Sequence, residues 1–121
     1  MQAIVEWHTA NHPEQRLIGA GDSMGGGIII DTVHHHPEKF KTLIVINSFT
    51  SLHDLVPEIV PLPKSLMPVM LHNKWASIEK IDESLRGVDM LFVVGGKDRL
   101  INPRHGMALY EKALSVGCKA K

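Results

Sequence analysis

The 121-residue sequence predicts an α/β fold, a parallel β-sheet with flanking helices. Three observations carry that expectation. Leu17 to Ala20, Leu43 to Ile46 and Met90 to Val94 are short unbroken apolar runs, the kind that parallel strands show. Helical stretches alternate with them, an order that builds right-handed βαβ units. The first run also leads through a glycine-crowded turn, Gly21-Asp22-Ser23-Met24-Gly25, directly into an apolar helix.

Each element has its own local argument. Ala3 to about Asn11 reads as a helix with Ile4, Trp7 and His8 on one stripe, ended by Pro13. Leu17 to Ala20 is the first strand, expected to be buried on both faces. Met24 to about His36 is the next helix, stopped by Pro37. Its glycines weaken it by up to about 1 kcal/mol each, so close packing must compensate. Leu43 to Ile46 and Met90 to Val94 follow as strands, the latter ending at Gly95-Gly96. Asn102 and Pro103 form a cap and first-turn pair for a helix through Ser115, with Gly117 as its stop. Between the second and third strands, Ser48 to Val88 carries Pro57, Pro61, Pro63 and Pro68 among apolar residues. It is expected to be an irregular crossover with one or two short helices. A small apolar cap that shapes an acyl pocket is compatible with the same pattern.

Composition excludes several function classes. Thirteen basic residues balance thirteen acidic ones with no basic run, which gives nucleic-acid binding no support. Cys118 is the single cysteine, so there is no internal disulfide, and a reducing compartment fits. No stretch approaches the ~20 apolar residues that span a bilayer, and the opening residues, interrupted by Glu6 and His8, do not read as a signal peptide, so for this stretch of chain the expected location is cytoplasmic. His34-His35-His36 does not make a metal site, since consecutive helix residues point about 100° apart. A solvated helix end suits them better, and His8, His12, His53 and His72 lack ligand spacing. Gly19-Ala20-Gly21 fails the dinucleotide fingerprint because Met24 stands where glycine is needed, and Gly96-Lys97-Asp98 fails the phosphate-loop pattern. No metal and no organic cofactor is implied. The Met- and Pro-rich stretch from Leu62 to Met70 is too short and broken to span a membrane and suits core packing or a cap.

One motif carries chemistry. Gly21-Asp22-Ser23-Met24-Gly25 matches G-x-S-x-G, with a strand before it and a helix after it. A serine on such a sharp turn stands clear of the sheet, beside helix amides that favour a developing oxyanion. Serine alone is a poor nucleophile and needs a base oriented by an acid. Asp98 follows the third strand at the C-terminal edge, where sites in open α/β sheets form.

Together with Asn47-Ser48-Phe49-Thr50-Ser51-Leu52, Trp75 to Ile81 and His105 to Lys112, these pieces resemble the C-terminal half of an α/β-hydrolase. The chain is most similar to the small-cap serine hydrolases that include serine-aminopeptidase-like members and protein depalmitoylases. That resemblance implies Ser23 as nucleophile, Asp98 as triad acid, and the Met24 backbone N–H as half of an oxyanion hole. It implies hydrolysis of an ester, thioester or amide through an acyl-serine, on a small-molecule acyl substrate or an acylated protein. In the family the histidine follows one further strand after the acid. The chain stops at Lys121, where Cys118 to Lys121 would begin that strand, and His105 matches a position that is not the base. The expectation is therefore one incomplete domain over residues 1–121, spanning nucleophile turn to acid loop, with the first strands and the final histidine loop missing. Weak or no activity of this chain alone follows. A different class of function is also open, a non-catalytic relative that binds a partner or an acyl ligand. The sequence does not fix the oligomeric state, and it leaves membrane contact, with Leu62 to Met70 as the touching surface, open but unsupported.

Overall fold

The computed structural model describes residues 1–61 and 75–121. Its elements run α1 (Gln2–Asn11), β1 (Leu17–Asp22), α2 (Met24–His35), β2 (Phe40–Ile46), α3 (Leu52–Ile59), β3 (Asp89–Val93) and α4 (Pro103–Ser115). Short 3₁₀ turns at Pro37–Lys39, Ser77–Lys80 and Glu83–Gly87 connect them. The sheet has the order β1-β2-β3 and both pairings are parallel, as the alternation of strands and helices requires. The stretch from Leu62 to Met70 and His72 lie outside the described residues.

Local chemistry explains where the elements stop. Pro103 opens α4 while the Asn102 side chain accepts from the Arg104 amide at 3.0 Å. Gly117 ends it with φ +83°, a conformation that suits glycine. Past that stop the chain lies down beside β3. The Met90 and Phe92 amides donate to the Lys119 and Lys121 carbonyls, both at 2.8 Å, and Met90 bridges Ala120 in parallel.

The core lies on one face of the sheet. Ile29, Ile30 and Val33 of α2 and Leu109 and Ala113 of α4 pack on Leu43, Val45 and Met90. Burying side chains of this size is worth about 1.5–3 kcal/mol each. Close approach is what compensates the weak intrinsic helicity of α2: a Cβ on Gly26 would lie 2.5 Å from Ser48 Oγ.

Two expectations about burial need correction. β1 is not buried on both faces. Ile18 is 65% exposed, and Leu91 and Val93 on β3, across β2 from it, are 39% and 44% exposed. Strand side chains alternate, and among the described residues both packed helices lie on the Leu43 and Val45 face. The stripe Ile4–Trp7–His8 does not face the core either. Ile4 and Trp7 are each 62% exposed, and α1 docks through Val5, about 100° round the helix.

Candidate active site

The C-terminal ends of the three strands define the site. Gly21 lets β1 run into the first turn of α2 without clearance: a Cβ there would sit 2.2 Å from the Gly25 carbonyl oxygen. Two residues on, Ser23 has φ 54° and ψ −118°, a left-handed conformation for a residue that is not glycine. Such conformations cost on the order of 1–3 kcal/mol and persist only where neighbours dictate them. Here three hydrogen bonds do so. The Ser23 amide donates to the Ile46 carbonyl at 2.9 Å. Its own carbonyl accepts from the Gly26 amide at 3.1 Å and from Ser48 Oγ at 2.9 Å.

No side chain caps α2, whose first residue is Met24, so the Met24 amide stands uncapped at the positive end of the helix, while the Gly26 amide is taken by the Ser23 carbonyl. Among the described residues no side chain hydrogen-bonds the Ser23 hydroxyl.

Asp98 sits in the loop after β3. Its amide donates to the Gly95 carbonyl at 3.0 Å. Its Oδ1 accepts from the Ile101 and Leu100 amides at 3.0 and 2.8 Å. Those two backbone donors, Ile101 first, hold the Asp98 carboxyl below the usual carboxylate range. It is therefore an ionised acceptor at neutral pH. Ser23 directly follows β1 and Asp98 follows β3, with β2 between them. Two interstrand steps make roughly 10 Å. A pair of hydrogen bonds of about 3 Å, one to each side of an imidazole ring, bridges a gap of that order. The structure thus brings both residues to one sheet edge, on strands separated by β2, with no hydrogen bond between them.

No histidine among the described residues hydrogen-bonds either of them. His105 is 2% exposed, between α3 and α4. Its Nδ1 lies 2.9 Å from Thr50 Oγ1 and its Nε2 lies 3.3 Å from Glu58 Oε2. Arg104 pairs with the same carboxylate. Thr50 Oγ1 and Ser51 Oγ donate to Asp54 Oδ2 at 2.8 and 2.7 Å. The Asp54 carboxyl lies below its usual range, chiefly through Ser51, although partial burial opposes the shift. This network fastens the start of α3. Replacing His105 by alanine is expected to destabilise the protein by about 2–4 kcal/mol through lost packing and orphaned polar partners. Activity per folded molecule should change little. A loss far beyond the unfolded fraction would instead make His105 the base.

The histidine run at the end of α2 also has local partners. His34 Nδ1 lies 3.0 Å from the Lys80 carbonyl, and His35 Nδ1 lies 2.8 Å from that of Asp31. Among the described residues no three His, Cys, Asp or Glu side chains converge as metal ligands.

Sequence reasoning passed over Asn47 and Ser48 as individual residues. Asn47 has φ 43° and accepts from the Gly95 amide at 2.7 Å, while the buried Ser48 reaches Ser23. An asparagine directly after an apolar strand was the available signal, since asparagine tolerates this backbone.

The model of the family described as serine aminopeptidase, S33, matches residues 1–79, which include Ser23 and exclude Asp98. The chain is 26% identical to protein bem46 of Schizosaccharomyces pombe over 102 residues, 82% of this chain and 34% of that protein. It is 29% identical to the alpha/beta hydrolase domain-containing protein WAV2 of Arabidopsis thaliana over 109 residues, 81% of this chain and 35% of that one. The chain thus spans about a third of the length of the curated relatives it matches. Among solved structures, an esterase of Pyrococcus furiosus superposes with TM-score 0.69 at 18% identity, over 99% of this chain and 49% of its own. A thioesterase domain from the curacin biosynthetic pathway superposes with TM-score 0.60 at 14% identity, over 98% and 62%. These superpositions establish an α/β-hydrolase fold. No helix among the described residues is long and apolar enough to cross a membrane.

Proposed function

The chain belongs to the serine aminopeptidase S33 family of hydrolases, and from that premise we propose that it carries the nucleophile and acid of a serine hydrolase acting on ester, thioester or amide bonds. The observation that supports this reading most is the backbone of Ser23, a non-glycine residue at φ 54° where a strand turns into a helix. Strain of that kind is kept where a side chain must be presented, and here it presents a hydroxyl.

In the proposed reaction Ser23 Oγ attacks the acyl carbon and its proton passes to a histidine bridging toward Asp98. The oxygen of the tetrahedral intermediate takes up negative charge beside the Met24 amide and the positive end of α2. Collapse expels the alcohol, thiol or amine with the proton from the imidazolium, leaving an acyl-serine that water hydrolyses by the same route in reverse. Asp98, already ionised, orients the imidazole and stabilises its cationic form. The acyl group belongs to a small molecule or to an acylated protein.

A fluorophosphonate probe tests this. Modification of the folded protein at Ser23, located by peptide mass, is the expected result. Asp98→Asn keeps an acceptor for the Leu100 and Ile101 amides and should slow the modification by at least about 100-fold. A folded sample that stays unmodified would support the non-catalytic reading, a relative that binds an acyl ligand or partner without turning it over.

A further inference from the structure

We infer that Asn47 and Ser48 form a two-armed brace that sets the separation and orientation of Ser23 and Asp98. The inference rests on the proposed roles of those two residues. Both arms leave the end of β2, the strand lying between the nucleophile and the acid.

One arm reaches the nucleophile. Ser48 Oγ donates to the Ser23 carbonyl at 2.9 Å from a position only 1% exposed. That carbonyl is the acceptor which turns the strained residue into the first turn of α2. The other arm reaches the acid. Asn47 Oδ1 accepts from the Gly95 amide at 2.7 Å, and the Gly95 carbonyl in turn accepts from the Asp98 amide at 3.0 Å. The Asn47 amide donates to the Val93 carbonyl at 2.9 Å, so this residue holds the end of β3 with backbone and side chain together.

Consecutive residues can serve the two neighbouring strands because Asn47 sits at φ 43°, which turns the chain between the arms. Each arm also lands on a glycine that leaves room for it. A Cβ on Gly26 would lie 2.5 Å from Ser48 Oγ, and one on Gly95 would lie 3.2 Å from Asn47 Oδ1. Two polar side chains, each seated on a glycine and each one hydrogen bond from a loop of the site, fix a distance that no direct Ser23–Asp98 contact fixes. Asn47 and Ser48 are positioning residues, since neither need touch the substrate.

The test compares the parent protein with Asn47→Gly, Asn47→Asp and Ser48→Ala, by amide hydrogen exchange and by steady-state kinetics on a p-nitrophenyl ester. Glycine keeps the backbone conformation and removes the arm, whereas aspartate keeps both. In Asn47→Gly the Asp98, Leu100 and Ile101 amides should exchange roughly 3- to 10-fold faster, and Asn47→Asp should restore their protection. In Ser48→Ala the same change should appear at the Gly26 amide. Amides of α4 should be unaffected in every variant. In an active parent, kcat should fall by roughly 10-fold in Asn47→Gly and in Ser48→Ala, with KM within twofold. Exchange that is unchanged, or that rises uniformly over the protein, overturns the brace. So does unchanged kcat in an active parent. Local deprotection in a parent without turnover upholds the brace and counts against the proposed catalysis, so the two ideas fail separately.

Discussion

Ser23→Ala is expected to abolish turnover, lowering kcat on an activated ester by on the order of 10⁴- to 10⁶-fold, the range that loss of a serine nucleophile produces. The fold should survive. The backbone bonds that hold residue 23 are its amide to Ile46 and its carbonyl to Gly26 and Ser48, and alanine keeps all of them. The variant should therefore keep the parent's melting behaviour and its protection at the Gly26 amide while losing both hydrolysis and probe modification. Residual activity within 10-fold of the parent would move the chemistry to another group. The assay belongs with the whole protein, since this chain spans about a third of its curated relatives.

The elements of this fold were legible because each is set by local rules. Three apolar runs paired as parallel strands, and Pro37, Pro103 and Gly117 stood at the element boundaries. Burial was less legible because it depends on what a face meets. An isoleucine in a four-residue apolar run reads the same on either side of a sheet, yet Ile18 is exposed while Gly19 beside it is buried. Helix α1 shows the same limit. Ile4 and Trp7 form the stronger apolar stripe, but docking through Val5 decided the orientation.

Placement of the candidate site was readable to the level of the sheet edge. G-x-S-x-G and the aspartate after β3 marked two loops, and parallel pairing put both at one end. The brace between them was not readable. Asn47-Ser48 is an ordinary polar pair in sequence, and its role arises from where β1 and β3 end beside β2, a relation between residues 25 and 48 positions apart in the chain. His105 was hidden for a similar reason. It is one of eight histidines in the sequence, and its burial, which no other described histidine shares, comes from tertiary neighbours such as Thr50 and Glu58.

The two glycines of the motif should respond oppositely to alanine, and that contrast separates sequence pattern from physical need. At Gly21 an added Cβ would lie 2.2 Å from the Gly25 carbonyl oxygen, 2.4 Å from its carbon and 2.7 Å from the Gly26 nitrogen. All three are backbone atoms, so no side-chain rotation relieves the clash. Either β1 or the first turn of α2 must move, and the bonds that strain Ser23 move with it. Overpacking of this kind costs about 3 kcal/mol or more, a large part of the 5–15 kcal/mol that stabilises an ordinary domain. At Gly25 an added Cβ meets no described atom within 4 Å, and the residue lies in the first turn of a helix, where alanine is favoured by up to about 1 kcal/mol. Denaturant unfolding should therefore show Gly21→Ala strongly destabilised and Gly25→Ala equal to or above the parent. Equal stability of the two variants would mean that the turn relaxes freely, and the strain assigned to Ser23 would lose its structural basis. If Gly25→Ala is stable but its turnover falls, the second glycine is needed for what approaches Ser23, in contrast to the first, which is needed for the turn itself.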